Sequence, residues 1–238
     1  MEKAPETGIE ESSSPNTSQD DHKQWIEAQD DLKRRLVTED DFSWKLSKEN
    51  EEEEDVLLRY VGGVDISFSK EDTSVACGTL VVLDIQSQDL QVLMVDGNGI
   101  LHPRGKFHLW FFVYVNSFGL ACHLGVLADL PTIGIGKNLH HVDGLTYSGV
   151  RQLLETKENC TEDFITLSGC SGKIWGVAMR STKGSLKPIF ISVGHRVSLD
   201  TAITIVKMTC KYRVPEPTRQ ADIRSREYLR KHQTGMSE

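Results

Sequence analysis

Two aspartates close apolar runs in this chain: Asp65 in Val-Gly-Gly-Val-Asp-Ile-Ser-Phe (61–68) and Asp96 in Leu-Met-Val-Asp-Gly-Asn-Gly (93–99). A carboxylate at the end of a buried strand projects from the sheet edge, where α/β folds place their sites. Two of them on neighbouring strands can hold a divalent cation such as Mg²⁺, which takes carboxylates, waters and substrate phosphate. Metal held in this way is common equipment for cutting phosphodiesters. Singly, a strand-end aspartate is as often a turn cap; the pair beside glycine-rich turns favours a site. His102, six residues after Asp96 in a proline-stiffened loop, is a candidate general acid or phosphate contact. Lys137 closes Gly-Ile-Gly-Lys (134–137), where an ammonium would offset charge growing on a reacting phosphate. His195 closes Ser-Val-Gly-His (192–195), at a junction of strand and helix, and adds a further polar group that could reach the same edge.

These groups need a sheet to carry them. The pattern predicts strands over Tyr60–Phe68 and Val75–Leu83, then a strand ending at Asp96. It next predicts a helix over Gly119–Leu130 and a short buried strand over Pro131–Gly136. A strand pair at Ile174–Arg180 and Pro188–Gly194 precedes a helix over Ser198–Cys210, capped by Ser198. Strands first, then alternation with helices, argue for an α/β domain on a mixed sheet. With strands one and two antiparallel, and the Asp96 strand parallel to strand one on its other side, both aspartates reach one edge.

Charge divides the chain. The 238 residues carry a net charge of −8, yet residues 1–55 hold 18 Asp/Glu against 7 Lys/Arg, and the remainder 17 against 20. Residues 1–18 read as a disordered acidic tail, 19–55 as a surface helix and acidic linker, and 56–232 as the core domain. Removing residues 1–50 is expected to leave nucleic-acid binding intact or slightly tighter, since no candidate residue lies there and the acid of this segment opposes a phosphate partner. The mildly basic core suits a phosphate backbone, and equally an ordinary solvated surface. Five scattered cysteines form no Cys-x-x-Cys pair, which fits a reducing compartment. The apolar run from Phe107 to Val115 is far too short for a membrane helix.

Six stretches, in order, resemble the endonuclease V family. They are Val-Gly-Gly-Val-Asp-Ile-Ser-Phe (61–68), Val-Asp-Gly-Asn-Gly-Ile-Leu-His-Pro-Arg-Gly (95–105), Gly-Leu-Ala-Cys-His-Leu-Gly (119–125), Gly-Ile-Gly-Lys (134–137), Ile-Ser-Val-Gly-His-Arg-Val-Ser-Leu (191–199) and Tyr-Arg-Val-Pro-Glu-Pro-Thr-Arg-Gln-Ala-Asp (212–222). The resemblance implies an RNase H-like mixed sheet flanked by helices. It implies Mg²⁺-dependent cleavage, with Mn²⁺ as an alternative ion, near inosine in single-stranded RNA or deoxyinosine in DNA. By motif position, Asp65 and Asp96 would hold metal, with His102, Lys137 and His195 about the phosphate. Gly97, Gly99 and Leu120 would wall the pocket for an extruded base. A monomer working in nucleus, nucleolus or cytoplasm is the corresponding expectation. An actin-like phosphate loop, the outside alternative, wants glycine where this chain has Ser67.

Two departures qualify the resemblance. Between Leu83 and Leu93 the family carries a strand, a wedge and a helix opening with a metal-binding glutamate; here only Asp84–Val92 stands. After Gly105 the chain inserts Lys106–Ser117, apolar and strongly β-prone. Together they have the pattern of an alternative transcript or a misjoined gene. The omission is expected to bare a sheet edge and an apolar face, and to leave a catalytically impaired nucleic-acid-binding variant as the second reading of function.

Overall fold

The computed structural model describes residues 19–46, 56–72, 74–83, 90–102, 118–156, 163–182 and 187–233. Its strands are β1 (Val61–Phe68), β2 (Ala76–Leu83), β3 (Val92–Asp96), β4 (Thr132–Gly136), β5 (Phe164–Ser168), β6 (Ile174–Met179) and β7 (Ile189–His195). The helices are α1 (Gln19–Arg34), α2 (Leu120–Ala128), α3 (Tyr147–Thr156), α4 (Leu199–Thr209) and α5 (Glu216–Gln233). One mixed sheet runs β2-β1-β3-β4-β7-β6-β5. In the arrangement supposed above, β1 pairs antiparallel with β2 and parallel with β3. In addition, β3 is parallel to β4. The chain direction then reverses: β7 is antiparallel to β4, and β6 and β5 continue antiparallel.

Strand alternation sorts the side chains onto two faces. On one face Val61, Val92, Met94, Ile133, Ile191 and Val193 form the main core with Ala202, Ile205 and Val206 of α4. The α4 helix starts as predicted: Ser198 Oγ accepts from the Thr201 amide at 3.2 Å. Beside it, α5 lies across β1 and β2 on that same face. A Cβ on Gly63 would overlap the Pro217 carbonyl, so glycine is what lets the helix come so close. On the other face α2 covers β3 and β4 through Leu93, Val95, Ala121, Leu120 and Leu124, while α3 covers β5 to β7 through Val150, Leu154, Trp175 and Phe190.

The described part of the N-terminal segment packs onto this core, where a surface helix and linker were expected over residues 19–55. Trp44 is buried with the main cluster, and Leu32 packs with Phe118, Cys122 and Val126 of the α2 region. Asp40 caps the α4 turn, accepting from the Ser198 amide (2.6 Å), the Ser198 hydroxyl (3.1 Å) and the Thr201 hydroxyl (2.7 Å). The expected tail (1–18), the acidic run (51–55), most of the 84–92 connection and the Lys106–Ser117 insertion lie outside the described residues. Among the described residues no helix is long and apolar enough to cross a membrane, and the four cysteines described are free.

Candidate metal centre

Because β1 and β3 are parallel, and Asp65 and Asp96 fall on the same alternation, both carboxylates point to the face where α5 lies. A third acid joins them from that helix. One oxygen each of Asp65, Asp96 and Asp222 lie within 4.8 Å of one another, the arrangement that a hard cation with oxygen ligands requires. Asp65 is buried and fixed, its Oδ2 accepting from the Ser225 hydroxyl at 2.8 Å and the Ser67 hydroxyl at 3.1 Å. The two hydroxyls lie 2.7 Å apart, so strand and helix are tied together at the acid. Burial pushes the Asp96 carboxyl up to about 6, against the pull of the Lys137 ammonium and with a further rise from Asp65.

Lys137 stands at the end of β4 that lies beside the end of β3. Its ammonium pairs with Asp96 and reaches Asp222 Oδ1 at 3.6 Å. Its own carbonyl accepts from Arg213 Nη2 at 3.1 Å, which braces the turn. The cluster opens into a cleft of about 660 Å³, rimmed by Lys70, Arg226 and Arg230.

The structure therefore brings Asp65, Asp96 and Lys137 together, and it leaves His195 elsewhere. His195 pairs with Thr132, the first residue of β4, so it emerges at the opposite end of the sheet from Lys137. A strand-end histidine read from sequence carries no direction, and β7 runs antiparallel to the strands that bear the acids. There His195 is buried; its Nδ1 accepts from the Val37 amide at 3.2 Å and its Nε2 lies 3.7 Å from Asp129. Burial lowers its pKa, with the Asp129 carboxylate opposing. It fastens the N-terminal segment to the sheet.

His102 is exposed on the loop after β3, its amide donating to the Ile100 carbonyl at 2.9 Å, and it does not line the cleft. Of the expected base pocket, Gly97 and Leu120 are neighbours: a Cβ on Gly97 would lie 3.5 Å from the Leu120 Cβ. Gly99 is instead pressed on β7, where a Cβ would overlap the Val193 carbonyl, and its amide donates to Ser192 Oγ at 2.9 Å. Its smallness serves packing of the loop against the strand. Asp222 was missed in the sequence reading. It lies in the Arg-Gln-Ala-Asp (219–222) stretch quoted for the resemblance, but nothing in local pattern marks it as facing β1.

The endonuclease V family model matches residues 86–223, more than half of the chain. The chain belongs to the endonuclease V family. Endonuclease V of Mus musculus is 39% identical over 217 residues, covering 73% of this chain and 61% of the mouse protein. Endonuclease V of Homo sapiens is 38% identical over 221 residues, covering 73% of each. The chain thus spans about three-fifths of the mouse relative's length. The catalytic domain of human endonuclease V superposes with a TM-score of 0.76 at 32% identity, covering 92% of this chain and 99% of that one. Endonuclease V of Ciona intestinalis, in complex with a 23mer DNA containing an inosine followed by a ribo-adenosine, gives 0.73 at 26% identity, covering 90% and 99%.

Proposed function

We propose that this endonuclease V family chain is a divalent-metal-dependent nuclease that cuts a phosphodiester near inosine in single-stranded RNA or deoxyinosine in DNA. The observation that carries the reading is the convergence of Asp65, Asp96 and Asp222 with Lys137 at one end of the sheet. The donor set is all oxygen, which suits Mg²⁺, with Mn²⁺ the alternative. Asp65, Asp96 and Asp222 would hold the ion, which when bound polarises phosphoryl oxygen and lowers the pKa of water. Asp65 is kept in place by the Ser67 and Ser225 hydroxyls, so its geometry is set before any ligand arrives. Lys137, braced by Arg213, would supply positive charge to the phosphate in the transition state. Gly97 and Leu120, which adjoin one another, would help to wall a pocket for the base.

The second reading, binding without turnover, draws on the short 84–92 connection, which has no room for the helix and glutamate implied by the resemblance. One assay separates the two. Single-stranded RNA and DNA with one inosine or deoxyinosine, and matched controls with guanosine, are incubated with the purified chain in Mg²⁺ or EDTA. Cleavage that needs both inosine and Mg²⁺ supports the nuclease reading. Tight binding without cleavage, with cutting recovered when a strand–wedge–helix replaces 84–92 and Lys106–Ser117 is deleted, supports the second.

A further inference from the structure

Asp222 is claimed by two cations of its own chain. Arg226 Nη2 lies 2.7 Å from Asp222 Oδ1, and Lys137 Nζ 3.6 Å from the same oxygen. The two cations differ in how firmly they are held. Lys137 is mostly enclosed and also pairs with Asp96, on a turn braced by Arg213. Arg226 sits one helical turn beyond Asp222, with its side chain 68% exposed at the rim of the cleft, beside Arg230 and Lys70. Its stem is anchored on α5, so the guanidinium can leave Asp222 and stay over the cleft.

On the reading of the acid cluster as a divalent-metal site, we propose that Arg226 is a displaceable counter-ion that couples metal binding to nucleic-acid binding. Without metal, it neutralises part of the charge on three crowded carboxylates. When a divalent cation takes Asp222, the ion pair breaks and the guanidinium turns outward. A freed guanidinium is a planar, two-pronged donor that matches a backbone phosphate. Metal therefore creates a phosphate contact as it binds, and by linkage phosphate binding must favour metal to the same degree. Arg226 is a positioning residue in this scheme and takes no part in bond making.

The consequence runs against the usual expectation for a site residue: removing Arg226 should tighten metal binding. An exposed ion pair is weak, so the gain in Mg²⁺ affinity of free Arg226→Gln is about two- to fivefold. Calorimetric titration of Mg²⁺ into the full chain measures this for wild type, Arg226→Gln, Arg226→Lys and Arg230→Gln, each checked by thermal melting. Fluorescence anisotropy of an inosine-containing RNA, with and without Mg²⁺ and at times short against cleavage, reads the other half. Wild-type binding should strengthen on adding Mg²⁺, Arg226→Gln should lose most of that gain, and Arg226→Lys should keep part of it. Equal tightening in Arg226→Gln and Arg230→Gln would reduce the effect to the general field of the rim and overturn the exchange. Unchanged or weaker Mg²⁺ binding in Arg226→Gln, where wild type binds, would overturn it as well. Absence of Mg²⁺ binding by wild type would instead sink the reading of the acid cluster, and this inference with it.

Discussion

At the scale of single residues, each acid of the cluster is reached by a different physical route. Asp65 is buried and held by hydroxyls, Asp96 is half-buried beside an ammonium, and Asp222 is shared between two cations. Asp65→Asn, Asp96→Asn and Asp222→Asn should each weaken Mg²⁺ binding by about tenfold or more, since each removes a charge from a site with few ligands. Wild-type affinity in any of the three, measured calorimetrically, would remove that residue from the site. His195 answers to another variable. Burial holds its pKa below the ordinary 6.5, so the folded state favours the neutral ring that accepts from Val37. Its contribution to stability is full above about pH 6.5 and is lost as pH falls through the lowered folded value. Urea unfolding of wild type should show this loss between pH 7.5 and pH 5. His195→Asn, which keeps an acceptor but cannot be protonated, should show a flatter profile; identical profiles would free His195 of the role.

At the scale of elements, the site depends on one crossing, α5 over β1 at Gly63. Gly63→Ala places a methyl group against the Pro217 carbonyl. It should cost about 1–3 kcal/mol of stability by overpacking, and should move Asp222 away from Asp65. Chemical denaturation checks the first effect and a loss of Mg²⁺ affinity the second. The strands that place Asp65, Asp96 and Lys137 were legible because their apolar runs are short and bounded by polar residues or glycine; β1, β3 and β4 end within a residue of expectation. The helix α5 was not. Its buried residues are Pro217, Thr218, Ala221, Ser225 and Leu229, mostly small or polar, so hydrophobic periodicity gives almost no signal. Small residues are what a close crossing needs, and they hide the helix that supplies the third acid. The strand β5 and helix α3 escaped as well, being short and only half apolar. The N-terminal segment was misjudged for the opposite reason, because one buried Trp44 outweighs a polar, charged surround. Deleting residues 1–18 should be tolerated, whereas deleting 1–50 should cost about 3–5 kcal/mol through loss of Trp44. Thermal melts of the two truncations make the comparison.

At the scale of the whole molecule, the sheet is unevenly covered. On the face away from α5, Ile66 (42%), Phe68 (64%), Leu80 (57%) and Val82 (37%) are exposed on paired strands, and β2 is the edge. Among the described residues, β2 pairs with β1 alone and this face carries exposed apolar side chains. No charge or proline interrupts Ala76–Leu83 to discourage pairing with another copy. Leu80→Lys should shift light-scattering profiles toward monomer without altering the fold, and unchanged association would place the contact elsewhere. The crossing of α5 on β1 also has a meaning in time. Asp65 and Ser225 meet across 160 residues of chain. A ribosome adds roughly 5–20 residues each second, so on the order of ten seconds separates the appearance of Asp96 from that of Asp222. Throughout that interval the nascent chain lies close to RNA with two of its three acids and without the helix that orders them. A protein of this layout gains its full acid cluster only once α5 is made, which keeps the cluster incomplete while the strands that bear the other two acids emerge beside the message.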